Sequence, residues 1–169
     1  MHKKRHPVIL LLTILIFFLS ILFYFTDSLN FKIGGISALL VLPILTAFSM
    51  FNSPIASFFT GLACGIFMDS CMLGAFGFNA VLLMLIGVFV SLTSNNLFNK
   101  NIWASLVLSF IVSLFYFVMH WIFFHTANVS IKDNLIYLLK YAFPSAIYSA
   151  IFIIIFYYIF KHFHKLKSE

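Results

Sequence analysis

The sequence predicts an all-α integral membrane protein with about six transmembrane helices, in a single domain that covers residues 1–169. Hydrophobic residues make up 63% of the chain and charged residues only 8%, which leaves too little polar surface to cover a water-soluble fold. The mean hydropathy of +1.12 indicates the same class. At about 20 residues per crossing, the length allows roughly six or seven spans with short loops. The apolar runs lie near residues 8–25, 33–51, 55–68, 78–93, 102–124 and 142–160.

The net charge of +6 comes mainly from basic clusters at residues 2–6 and 161–167. Such clusters beside a membrane attract anionic lipids, at about 1 kcal/mol per basic residue, so we expect lipid contact and no nucleic-acid partner. Six crossings place both termini on one side, and the positive-inside rule makes that side cytoplasmic. The basic residues then inside are Lys3, Lys4, Arg5, Lys100, Lys161, Lys165 and Lys167, and those outside are Lys32, Lys132 and Lys140.

The first two runs differ in character. Residues 8–25 are almost entirely Leu, Ile and Phe, without Gly or Ala, so this span lacks a groove for close helix contact. We expect it to face lipid or to pack loosely on a partner. The second run, residues 33–51, contains Gly34 and Gly35 and is predicted to kink at Pro43. Asn52, Ser53 and Pro54 then break the chain.

The middle of the chain predicts a helical hairpin. The apolar sequence from Ile55 to Leu92 is interrupted near Asp69 by a charge and by the turn-permissive Gly74 and Gly77. Residues 55–68 would span only about 21 Å at 1.5 Å per residue. This arm is therefore predicted either to cross the membrane fully or to form a re-entrant half-helix among its neighbours.

The last two runs follow a polar connector at residues 91–101. The fifth span is predicted at residues 102–124 and is followed by a loop at residues 125–134. The final apolar stretch, residues 135–160, is predicted to be divided by Pro144, with residues 135–141 in the membrane interface. Aromatic residues that fall near span ends are predicted to be interfacial. They are Tyr24, Trp103, Trp121, Tyr137, Tyr157 and Tyr158.

Small and polar residues recur at helical spacing in four of the spans. Because lipid tails are as apolar as Leu, membrane helices associate through close packing of small residues and through hydrogen bonds. We therefore interpret these residues as internal packing faces rather than a ligand surface. They are Ser57, Gly61, Gly65 and Asp69; Asn79, Gly87 and Ser91; Ser105, Ser109 and Ser113; and Ser145, Ala146, Ser149 and Ala150.

No catalytic residue is predicted. Of the four acidic residues only Asp69 adjoins an apolar segment, so a pair of carboxylates for general acid and base catalysis is lacking. Asp69 is predicted to cap backbone N–H groups of the turn or of the next helix. Contact with a partner or coupling to an ion are the alternatives, since intramembrane acids often have functions.

Metal and cofactor sites are not predicted either. Cys64 and Cys71 lack the spacing of metal ligands and are interpreted as buried free thiols, with a disulfide as the open alternative. His120 lies in the fifth span without an acidic or Cys neighbour in sequence. We interpret it as a hydrogen-bonded core residue, with a proton relay or a ligand as the other possibilities.

The hairpin resembles the central segment of the bacterial rod shape-determining MreD family, which has a G-x-x-x-G-x-x-x-D element followed by a glycine turn. The matching residues here are Gly61, Gly65, Asp69, Gly74 and Gly77. The resemblance implies a six-helix fold similar to the substrate-binding subunit of energy-coupling-factor transporters, in the bacterial cytoplasmic membrane. It also implies a non-catalytic scaffold of the cell-elongation machinery that works with MreC, MreB, RodA and a penicillin-binding protein in peptidoglycan synthesis.

Two alternatives stay open at this point. The first is the substrate-binding subunit of an energy-coupling-factor vitamin transporter. Such subunits typically dock through small residues of the first helix, often Ala-x-x-x-Ala, which residues 8–25 lack. The second is a small membrane protein of another kind that shares only the hairpin.

Overall fold

The computed structural model describes residues 5–26, 39–71, 77–96, 101–125 and 143–168, and their regular structure is entirely helical. The all-α prediction is therefore confirmed for these residues. α6 and α7 continue each other through Phe152, so the described residues form six helices if these two count as one. The helices are α1 (Arg5–Phe25), α2 (Val41–Phe51), α3 (Pro54–Cys71), α4 (Phe78–Asn96), α5 (Ile102–His125), α6 (Phe143–Ile151) and α7 (Ile153–Ser168).

The helices have the length and composition of a multi-pass membrane protein. Among the described residues, four segments are long and apolar enough to cross a membrane, namely Pro54–Cys71, Phe78–Asn95, Ile102–Phe124 and Phe143–Leu166. Val41–Phe51 is a shorter apolar helix, and Leu11–Phe25 is the apolar part of α1, which has 21 residues in all. The number of crossings stays a prediction of six.

α2 lies at the centre of the bundle and contacts each of the other described helices. All its side chains except Phe48 are buried, and it carries no charged residue. A helix that is apolar on every side lies either in a protein core or in a membrane, and here the neighbouring helices bury it. Its buried Thr46 donates its hydroxyl hydrogen to the carbonyl of Leu42 at 2.8 Å, which satisfies that polar group within the helix itself.

Pro43 acts differently from what the sequence predicts. The described part of α2 begins at Val41, so Pro43 lies in the first turn, where a missing N–H is tolerated and no interior kink results. The described part of α6 begins at Phe143, next to Pro144, and the residues before it, on which the predicted division at Pro144 depends, lie outside the described residues. Within the last span the helix is interrupted at Phe152, and α7 extends through the basic tail to Ser168, beyond the predicted end at residue 160.

The first arm of the hairpin is longer than the predicted 55–68. α3 has 18 residues, about 27 Å at 1.5 Å per residue, and Asp69 lies in its last turn instead of following it. The helix begins with Pro54 in the first helical position, where proline is favoured. The hydroxyl of Ser53 accepts the N–H of Ala56 at 3.4 Å, as a capping residue does.

α1 packs on the bundle through few residues, in agreement with its lack of small side chains. Phe17 and Ile21 are buried, while most of its other apolar side chains are exposed toward the region that lipid would occupy. The exposed ones include Leu11, Ile14 and Leu15. The exposed side chains and few contacts agree with the loose packing of α1 on the bundle, and whether its exposed face meets lipid or a partner stays a prediction.

The residues of the predicted small-residue faces are all buried. Their Ser, Ala, Asp and Asn side chains are at most 7% exposed.

One aromatic prediction is wrong: Tyr157 is buried, with its ring 5.4 Å from that of Phe51, so it packs inside the bundle and is not interfacial. Trp103 and Tyr158 are exposed, as interfacial residues should be. Gly34, Gly35, Gly74, Tyr137 and the predicted interfacial segment 135–141 lie outside the described residues.

Candidate functional site

The candidate site is the contact between α3 and α4, which is the most extensive helix–helix contact of the described residues. Gly61 and Gly65 of α3 lie directly against the backbone of α4. A Cβ atom added to Gly61 would overlap with the carbonyl of Leu83, and one added to Gly65 would overlap with backbone atoms of Ala80. These two glycines therefore allow the backbones to approach more closely than any side chain would permit.

Toward the other end of α4 the roles are exchanged, because there the glycine belongs to α4 and the backbone that it approaches belongs to α3. A Cβ added to Gly87 would lie 2.7 Å from the carbonyl oxygen of Ser57. Ser57 is fully buried, and its hydroxyl donates a hydrogen bond to the carbonyl of Ser53 at 3.1 Å. Small residues on both helices thus line the whole length of the contact.

Asp69 closes the contact at the hairpin end. Its Oδ1 accepts the backbone N–H of Asn79 at 3.1 Å and the side-chain amide of Asn79 at 2.9 Å. Its Oδ2 accepts the backbone N–H groups of Gly77 and Ala80, both at 3.0 Å. The predicted capping of backbone N–H groups is confirmed by three of these four hydrogen bonds.

Asp69 of α3 accepts hydrogen bonds from the N–H groups at the start of α4, because the residue at the N-cap position of α4 is a glycine and has no side chain that could do so. Gly77 occupies the N-cap position, with φ +98°, a left-handed conformation that favours glycine. The first turn of a helix leaves its N–H groups without partners in the helix. In a membrane, each such donor left without an acceptor costs several kcal/mol, and Asp69 satisfies three of them at once.

Tyr116 extends this network to α5. Its hydroxyl donates to Oδ1 of Asn79 at 2.7 Å, and both side chains are 3% exposed. The chain of hydrogen bonds from Asp69 through Asn79 to Tyr116 therefore joins three helices. Tyr116 was not among the residues predicted from the sequence. Its position in the middle of a span is the signal that could have identified it, because a buried tyrosine hydroxyl requires a partner.

Serine hydroxyls make further links between helices. Ser91 near the end of α4 donates to the carbonyl of Asn52 at 2.8 Å, just after α2. In the last span, Ser149 accepts the N–H of Leu39 at 3.1 Å. Residues of two of the predicted faces thus bind neighbouring segments through hydrogen bonds as well as by packing.

His120 lies beside this network, half-buried in an aromatic cluster instead of deep in the core. Its ring centroid is 4.6 Å from that of Phe124 and 6.1 Å from that of Tyr116. Cys64 and Cys71 are both free thiols, but only Cys64 is buried. The prediction of a buried thiol is wrong for Cys71, which is exposed at the last residue of α3. Within the described ranges, no group of three His, Cys, Asp or Glu residues could hold a metal ion.

The arrangement at Asp69 is suited to a structural role. A carboxylate offers about four lone-pair sites, and four donors from the start of α4 occupy them. Binding of an ion or transfer of a proton at Asp69 would require some of these bonds to break. The geometry therefore favours a fixed link between α3 and α4 over the alternatives of ion coupling and partner contact.

Comparison with known proteins gives one match. Residues 4–167 match the family model described as rod shape-determining protein MreD, which is nearly the whole chain. No curated protein and no solved structure matched.

Proposed function

Because the chain belongs to the family of the rod shape-determining protein MreD, we propose that it is a non-catalytic membrane scaffold of the bacterial cell-elongation machinery. In this role it helps to organise peptidoglycan synthesis together with MreC, and MreB, RodA and a penicillin-binding protein are the further partners. It resides in the cytoplasmic membrane with both termini in the cytoplasm, since that topology keeps the two basic ends inside.

The observation that carries the proposal is the family match over residues 4–167. The chemistry of the hairpin supports the non-catalytic part of it. The one acidic residue of the described spans, Asp69, is 5% exposed and has its carboxylate occupied by hydrogen bonds from α4. A buried and saturated carboxylate holds helices together, whereas a general base must reach a substrate proton.

The vitamin-transporter alternative is not favoured by the family match. It would also require a docking face of small residues on α1. The described side chains of α1 at residues 11–25 include only Thr13 and Ser20 as small groups, and both are buried within this chain.

The test is purification of the tagged full chain from bacterial membranes in mild detergent, followed by identification of bound proteins and small molecules. The scaffold proposal predicts recovery of MreC at well above the level obtained with an unrelated multi-pass protein carrying the same tag. It also predicts that depletion of the chain converts rods into spheres. A bound vitamin, or rods that persist after depletion without recovery of MreC, would contradict it.

A further inference from the structure

A groove of about 730 Å³ lies between α1, α2, α3 and α7. Its walls are mainly phenyl rings, among them Phe17 of α1 and Phe48 of α2. Phe59 and Phe67 of α3 are 62% and 50% exposed, so the groove opens on the outer surface of the bundle. It is separate from the Asp69 network, which lies between α3, α4 and α5.

The size and direction of the groove fit a lipid chain. Its volume falls within the range of about 300–1,000 Å³ that is usual for sites holding one small ligand. Along α3 it extends from Ala56 to Phe67, about 16 Å at 1.5 Å per residue. This is close to half of the ~30 Å hydrocarbon core of a bilayer.

One basic side chain lines one end of the groove. It is His164 of α7, with its ring 5.7 Å from that of Phe51 at the end of α2. Lys161 and Lys165 are exposed and do not line the groove. Each lies one residue further along α7 than a lining residue, about 100° around the helix, from where a long side chain can extend toward the groove. Lys161 lies 5.6 Å from the centre of the Tyr157 ring. Among the described residues that line the groove, none is Asp or Glu.

We propose that this groove binds one anionic phospholipid. An acyl chain lies among the phenyl rings between α1 and α3, and the phosphate lies at the basic end near Lys161, His164 and Lys165. The apolar walls match the chain, and the cations match the headgroup, because basic residues at a membrane surface attract anionic lipid. This site is independent of the scaffold proposal.

The lipid would complete the packing of α1. α1 contacts α2, α3 and α7 through few residues, and the groove lies between it and those helices. An acyl chain in the groove would make packing contacts with α1 and with α3 at the same time. In detergent, removal of lipid should therefore loosen α1 first, and addition of anionic lipid should raise the melting temperature of the protein.

The test is native mass spectrometry of the delipidated full chain, titrated with phosphatidylglycerol or with phosphatidylcholine of identical acyl chains. We expect one phosphatidylglycerol molecule to bind per chain, in preference to phosphatidylcholine. Lys161→Gln with Lys165→Gln should reduce that preference by about fivefold per lysine. The matched pair Lys161→Arg with Lys165→Arg keeps the charge and should retain it. These residues are on the surface, so the comparison does not depend on tolerance of a change inside the bundle.

A second variant tests the groove itself. Ala63→Trp places a large ring in the groove and should abolish the bound lipid. The control Leu85→Trp makes a similar addition on the exposed face of α4 and should leave lipid binding unchanged. Equal binding of the two lipids, or binding unaffected by the glutamine pair and by Ala63→Trp, would overturn the proposal. So would a photo-crosslinker at Phe59 that captures a protein in cells and not a lipid.

Discussion

Oδ1 of Asp69 accepts two hydrogen bonds from the same residue, Asn79, one from its backbone N–H at 3.1 Å and one from its side-chain amide at 2.9 Å. Asp69 lies in the last turn of α3 and Asn79 in the first turn of α4. The two bonds therefore fix the spacing and the rotation of one helix relative to the other. Together with the glycine contacts, they make the hairpin a single packed unit.

Asp69→Ala should destabilise the protein strongly. It removes the acceptor of three backbone N–H groups and of the Asn79 amide. Loss of a helix cap costs about 0.5–2 kcal/mol, and each buried donor left without a partner costs about 1–3 kcal/mol. We expect a total loss on the order of 3 kcal/mol, measured as the free energy of unfolding in mixed micelles.

The control for this change is Ser70→Ala at the next position. Ser70 is exposed and donates only to the carbonyl of Ile66 in its own helix. The unfolding free energy of the Ser70→Ala variant should stay within about 0.5 kcal/mol of that of the wild type. Equal stability of Asp69→Ala and Ser70→Ala would show that the hydrogen bonds to α4 do not stabilise the bundle.

Tyr116→Phe should cost about 1 kcal/mol, because it removes one buried hydrogen bond and leaves Oδ1 of Asn79 without that donor. The effect should be smaller in an Asp69→Ala background, where Asn79 is no longer held in place. A double-mutant cycle on unfolding free energies measures this coupling, which we expect to exceed about 0.5 kcal/mol. Strict additivity would mean that Tyr116 and Asp69 act separately.

Gly65→Leu should be more damaging than a leucine elsewhere on α3, because any Cβ at this position overlaps with the backbone of Ala80. The helices would have to separate, with loss of the Asp69 bonds as well. Ser70→Leu on the exposed side of the same helix is the matched control. The measurement is the yield of folded monodisperse protein after extraction from membranes. Normal yield of Gly65→Leu would refute the close-approach interpretation.

Reporter fusions test the topology. Fusions at residue 1 and at residue 169 should report the cytoplasm, and an insertion in the segment between α3 and α4, at residues 72–76, should report the opposite side. This pattern requires α3 to cross the membrane fully, for which its 18 residues are sufficient. A cytoplasmic report from residues 72–76 would instead indicate a re-entrant arm.

The hairpin could be predicted well because its contacts repeat along the sequence. Ser57, Gly61, Gly65 and Asp69 are spaced four residues apart, which places them on one helix face. Asp69 follows the small residues at the point where a turn must leave N–H groups without partners. Local sequence rules therefore carried most of the information about this contact.

The rest depended on three-dimensional context that spacing does not encode. The central position of α2 could not be predicted, since an all-apolar helix can face either lipid or protein, and only its neighbours decide. The same is true of Tyr157, which packs on Phe51 instead of lying at the interface. The partner of Tyr116 lies on another helix, 37 positions earlier in sequence, and no local pattern connects the two.

The most direct test of the account measures cell shape in a depletion strain that expresses either the wild-type chain or Asp69→Ala at matched membrane levels. We predict that the wild type restores rods, whereas Asp69→Ala leaves round cells and recovers less MreC, because the hairpin that organises the bundle is no longer held together. Ser70→Ala should restore rods. Rods of normal width with Asp69→Ala at wild-type membrane levels would contradict the claim that this link between α3 and α4 underlies the function.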